Sequence, residues 1–262
     1  TMNTASRKPT GFGTTSAAIS AGGLDPSTQS LKTESWNGSI WTETSDMNIR
    51  RWGAAPSGTA TAGLVAGGGS PAITAATEEW NAGISVGAWV TGGNLNTGRN
   101  SLTGFGPTTA SLVAAGEVGS PDVYTQKTES YNGTAWAEVN DLTGSARRNA
   151  ASAGADNTSG LVFGGNAPGY TGITELWNGY VWTEVNDLNN ARAAAGGCGT
   201  ATAALCFGGK APALGPPNDR AETELWNGTN WTEVNDLNTN RQTTGVGINT
   251  AALAFGGRDP VT

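Results

Sequence analysis

Residues 223–241 read TELWNGTNWTEVNDLNTNR, and residues 174–192 read TELWNGYVWTEVNDLNNAR. Two tryptophans stand five positions apart in each phrase, with Asn-Gly, a strong hairpin signal, between them. The first half recurs as TESWNG at 33–38, TEEWNA at 77–82 and TESYNG at 128–133. A second tryptophan follows every copy, at Trp41, Trp89, Trp136, Trp182 and Trp231, so the period is 46 to 49 residues. Only the second copy stretches the gap between the aromatics, to nine, through AGISVG. A period in this range is the mark of a repeat architecture.

Outward from these phrases the rest of the unit falls into phase. An arginine comes next: Arg50, Arg99, Arg147, Arg192 and Arg241. A Gly-rich stretch follows, then an apolar run closed by small residues: AGLVAGG, ASLVAAG, SGLVFGG, AALCFGG and AALAFGG. A further copy of this half opens the chain, with Arg7 and then GFGTTSAAISAGG ending at Gly23. Each complete unit thus holds four short runs of strand length separated by Gly, Asn or Asp turn signals. No sustained helical periodicity interrupts them. One four-stranded sheet cannot cover both its faces, but sheets stacked radially can. Large aromatics at one register would then fill the wedge between neighbours, and the AALAF-type runs would lie inside the blades.

The order of these features resembles the kelch repeat of β-propellers. The resemblance rests on the di-glycine, the Glu-x-aromatic-Asn, the spaced tryptophan and the arginine, and it covers nearly the whole chain. The third copy departs from it, with Ala115-Gly116 for the di-glycine and Tyr131 for the first tryptophan. The resemblance implies an all-β kelch-like propeller of five complete four-stranded blades plus a two-stranded partial sixth. The expected organisation is a single domain over 1–262, with units at about 7–47, 50–94, 99–141, 147–187 and 192–236 and a partial one at 241–262. A ring needs whole blades, so three closures are open. The sixth blade is finished by another chain or by a further part of this protein, the ring closes with five, or a two-stranded sixth blade is tolerated. A six-position ring with an incomplete last blade is favoured, and its open edge is a site for another protein chain.

Composition narrows the chemistry. The 262 residues include 40 glycines and 13 % charged residues, with net charge −7. An acidic chain is a poor partner for nucleic acid. No run of 18 apolar residues exists, so no membrane insertion is expected, and no signal peptide is visible. Histidine is absent, which removes the imidazole ligands of the copper enzymes among kelch propellers, the usual zinc sites and any Ser-His-Asp triad. No loop carries a dedicated calcium pattern. Neither a cofactor nor a metal is expected. A carboxylate pair for glycoside hydrolysis stays open. Yet Glu34, Glu78, Glu129, Glu175 and Glu224 recur in every unit, as a structural ion pair with the arginines would. Cys198 and Cys206 fall in slots filled elsewhere by small or apolar residues, which reads as two buried free thiols.

Function is therefore sought in what does not repeat. The loops after the glycine pairs differ in length and chemistry, and loops on a rigid frame carry recognition. They are expected on the same face as the Asn/Asp-rich links. Their off-repeat side chains Tyr124, Tyr170, Lys210, Asp219 and Arg220, with Trp52, are the candidate ligand-binding residues, in the manner of a shallow sugar site. The repeat wording is also similar to kelch-type repeats in virion proteins, tail- and fibre-associated, of marine bacteriophages. That resemblance implies a non-enzymatic virion or extracellular component for assembly or host-surface attachment. The alternatives are a lectin-like glycan binder outside any virion and, behind it, a polysaccharide-active enzyme.

Overall fold

The computed structural model describes residues 1–25, 28–83, 87–119, 123–211 and 218–257. Five four-stranded antiparallel sheets follow one another along the chain, each with its strands in sequence order. The first comprises Thr10–Gly13, Ala18–Ala21, Thr33–Trp36 and Trp41–Glu43. The second comprises Ala55–Gly58, Ala62–Ala66, Thr77–Asn81 and Ala88–Thr91. The third comprises Thr103–Phe105, Ser111–Ala114, Thr128–Tyr131 and Trp136–Val139. The fourth comprises Ala151–Asp156, Ser159–Phe163, Thr174–Trp177 and Trp182–Val185. The fifth comprises Gly196–Thr200, Ala203–Phe207, Thr223–Trp226 and Trp231–Val234. A two-stranded sheet, Thr244–Ile248 with Ala251–Phe255, comes last. There is no helix among the described residues.

The last hairpin settles the closure. Its inner strand packs against Gly196–Thr200 on one side and Thr10–Gly13 on the other. Thr244 donates its hydroxyl to the Pro9 carbonyl at 2.8 Å, and the Phe255 ring lies 5.0 Å from that of Trp41. The ring thus has six positions, five of them full blades. The six inner strands line a central channel of about 340 Å³. Their small residues are a steric need: a Cβ on Gly197 would stand 2.7 Å from the Ser152 carbonyl oxygen of the blade before it.

The aromatic pairs do fill the wedges. Trp36 faces Trp41 across the outer hairpin, and the same register holds Trp80 with Trp89, Tyr131 with Trp136, Trp177 with Trp182 and Trp226 with Trp231. The connecting turn has four residues rather than the tight two that Asn-Gly suggests. In the first blade Asn37 Oδ1 accepts the Ser39 and Ile40 amides, and Gly38 takes a φ of 94°. The second tryptophan of each blade reaches back to its predecessor. Trp89, Trp136, Trp182 and Trp231 donate Nε1–H, at 3.1 Å, to the hydroxyls of Thr33, Thr77, Thr128 and Thr174.

The Glu and Arg series form buried pairs within blades, with one correction of register. The arginine that meets Glu78 is Arg51, at 2.7 Å, not Arg50. Arg99–Glu129, Arg147–Glu175 and Arg192–Glu224 follow at 2.6 to 2.8 Å. Each glutamate also gathers amides of the incoming link; Glu224 accepts those of Asn189 and Asn190. At the start of the chain the slot belongs to Ser6 rather than Arg7, and Glu34 accepts only the amides of Asn3 and Thr4 besides. The glycine pairs have a backbone cause: Gly22 and Gly23 take φ of 63° and 96°, and a Cβ on Gly22 would meet the Arg51 carbonyl at 2.5 Å. Ala115 holds the first of these positions at φ 62°, which accounts for the irregular third copy. Cys198 and Cys206 are buried free thiols, both pushed up to about 12 by burial.

Candidate ligand site at the channel mouth

Each inner strand is entered from a link and each second strand leaves into a post-glycine loop, so both lie on one face. Isolated bridges tie them together: Arg7 with Leu24, Trp52 with Gly69, Asn100 with Glu117, Arg148 with Asn166, and Ala193 with Lys210. The residue after each bridge enters the channel mouth. These are Lys8, Gly53, Ser101, Asn149 and Ala194, and all five have left-handed backbone, with φ from 51° to 60°. In three of them, Ser101, Asn149 and Ala194, the amide reaches back to the preceding blade. Ser101, Asn149, Ala194 and Thr243 donate in series to the carbonyls of Gly53, Ser101, Asn149 and Ala194. The result is a backbone collar that joins five positions round the mouth.

Above the collar lies a cavity of about 370 Å³. Its lining includes Arg7, Lys8 and Lys210 with Ser101, Asn149 and Gln242, and no carboxylate among the described residues. In a chain of net charge −7 this concentration of cations is local design rather than composition. Ser101 is 4 % exposed, and its hydroxyl is buried without a hydrogen-bond partner. The Lys8 ammonium is held below its ordinary range, first by burial and then by the charges of Arg148, Lys210 and Arg7, against the opposing pull of Glu117. A bound anion would relieve that cost.

Of the six residues picked from the sequence, only Lys210 is among the described lining residues, while Trp52 and Asp219 touch residues that line the cavity and Tyr124 lies one contact further out. Trp52 carries the Lys8 ammonium over its ring, 4.7 Å from the centroid. Tyr124 carries the Arg148 guanidinium at 4.9 Å, and Arg148 in turn pairs with Glu117. Asp219 is buried beside Lys210, where it accepts the Gln242 amide at 3.0 Å. Tyr170 and Arg220 are not among the cavity-lining residues: Tyr170 pairs with Asn166 in its own small hairpin, and Arg220 lies 3.8 Å from Glu222. Sequence reasoning missed Lys8, Ser101 and Asn149. Their signal was phase, since each stands two residues after the slot of the repeat arginine. No cluster of three metal-ligating side chains occurs among the described residues, and no helix there is long and apolar enough to cross a membrane.

No family model matches the chain, and no curated protein does. Among solved structures it is similar to the structure of YjhT, with a TM-score of 0.79 at 13 % identity over 98 % of this chain and 92 % of that one. The likeness is one of fold: both are β-propellers.

Proposed function

We propose that the protein is a non-enzymatic recognition propeller that holds a carboxylate-bearing sugar at the mouth of its channel. The observation that carries this is the cavity whose described lining brings Arg7, Lys8 and Lys210 together with no acidic side chain. Trp52 stands beside the cavity and holds the Lys8 ammonium over its ring, which positions that cation for a sugar carboxylate. Binding is favoured over turnover because the chain has no imidazole and the described lining residues offer no carboxylate to move a proton. The similarity of the repeats to kelch-type repeats in phage virion proteins supports placing this recognition on a particle that meets a bacterial surface.

The test is titration calorimetry with oligouronates and their neutral counterparts. The acidic series is expected to bind, to weaken with added salt, and to lose about tenfold or more with Lys8→Gln and with Lys210→Gln, on the scale of one charge-assisted contact. Equal binding of neutral sugars, or indifference to both variants, overturns the reading.

A further inference from the structure

The sixth position is an unfinished copy of a structure the molecule builds five times, so what would finish it can be read residue by residue. In the fifth blade the edge of Ala203–Phe207 is covered by Thr223–Trp226, with Glu224 opposite Cys206 and Thr223 opposite Phe207. In the sixth, Ala251–Phe255 repeats those letters except for Ala254, and no third strand pairs with it among the described residues.

Three sets of groups mark the gap. Glu224 draws in the amides of Asn189 and Asn190 and the Arg192 guanidinium. The corresponding amides of Asn238 and Thr239, and the Arg241 guanidinium, have no hydrogen-bond partner among the described residues. Thr174 accepts from Trp231, but its counterpart Thr223 accepts from no indole. Trp89 donates to Thr33, but its counterpart Trp41 has no threonine to donate to among the described residues. The gap therefore asks for a glutamate to meet Arg241, a tryptophan to reach Thr223 and a threonine to receive Trp41, in one register. That is the content of Thr-Glu-x-Trp followed by a four-residue turn and Trp.

We propose that this edge is a socket for one β-hairpin of that pattern, supplied from outside residues 1–262. Its threonine would pair with Phe255, its glutamate with Ala254 and its first tryptophan with Ala252. Strand addition supplies main-chain bonds along the edge, and the side-chain partners supply the specificity. A second copy of this chain is the poorer donor, because all five of its own outer hairpins are already built into blades.

The experiment adds a synthetic peptide of the sequence of residues 223–236, TELWNGTNWTEVND, to the chain of residues 1–262. Calorimetry and the unfolding midpoint are the readouts. The expected result is one-to-one binding and a raised midpoint. Replacing the peptide's glutamate by glutamine should cost about tenfold in affinity with the native chain. It should cost nothing with the Arg241→Gln chain, since the two changes remove one contact. No binding, equal binding of a scrambled peptide, or a glutamine penalty independent of Arg241 overturns the proposal. So does a chain that sediments as a dimer that Leu253→Lys dissociates, because the edge would then belong to a second copy.

Discussion

The strands Ala203–Phe207 and Ala251–Phe255 read AALCF and AALAF, and the molecule treats them differently. In the first, Ala204, Cys206 and Phe207 are buried; in the second, Ala251 and Ala252 are exposed and Leu253 and Ala254 half-buried. The expectation that every such run lies inside a blade therefore fails at the sixth position. Burial here belongs to the third strand laid over the run, not to its own apolar letters. Reactivity gives the widest separation between the two. In a chain made cysteine-free by Cys198→Ala and Cys206→Ala, an Ala254→Cys variant should be alkylated at close to the rate of a free thiol. Native Cys206, fully buried and with its thiol raised to about 12, must wait for the blade to open. With local opening free energies of even ~4 kcal/mol the rates differ by about a thousandfold. Similar rates would show that the sixth position is covered in solution.

The arginines come next. Arg192→Ala leaves Glu224 buried without its cation, and breaking such a pair costs about 3–5 kcal/mol. Arg241→Ala removes a half-buried side chain with no hydrogen-bond partner and should stay within about 0.5 kcal/mol, the range of ordinary surface changes. Denaturant unfolding of the two variants checks the contrast, and equal losses would mean that Arg241 already has a partner. The threonines repeat the comparison on a smaller scale. Thr174→Val strands the Trp231 indole N–H in the wedge, at about 1–3 kcal/mol, whereas Thr223→Val should be nearly silent.

These contrasts also show what the chain of letters could carry. The tryptophan pairs, the glycine pairs and the slots of both cysteines were legible because each depends on local backbone or on a strand's own register. Cys206, for instance, lies opposite Glu224, as Val65 lies opposite Glu78. The arginine register failed where the letters were doubled or absent. Arg50 and Arg51 are adjacent, and only the geometry says which guanidinium turns inward; at the start Ser6 takes the slot and leaves Arg7 to the mouth. The mouth itself was the least legible part. Lys8 and Ser101 lie about two repeats apart in sequence, Ser101 and Asn149 about one, and they meet only because the ring closes. Lys210 was picked for being off-repeat, but nothing in its own loop announces Lys8 as a neighbour.

The cations of the mouth are set against the same uneven place in the ring: Lys210 rises from the fifth blade, Arg7 and Lys8 lead into the first, and Gln242 and Gly257 of the sixth position lie between them. Lys8 gives the smallest effect and the most specific sign. Its ammonium is held below the usual lysine range, so between that lowered value and 10.5 the unfolded chain keeps a proton that the folded chain has lost. Stability should therefore gain a small increment as pH rises through this window. Affinity for an acidic sugar should fall over the same window, because the charge that receives it is going. Two opposite slopes from one group are hard to imitate by general alkaline damage, which lowers both. Lys8→Met should flatten the two together, read by urea midpoints and by calorimetry at matched pH, while Lys32→Met, whose ammonium meets Glu43 and Asp46 on the exposed surface, should leave both slopes in place. If Lys8→Met flattens only the stability slope, Lys8 is buried at the mouth without receiving the ligand, and the sugar carboxylate must be met by Arg7 or Lys210 instead.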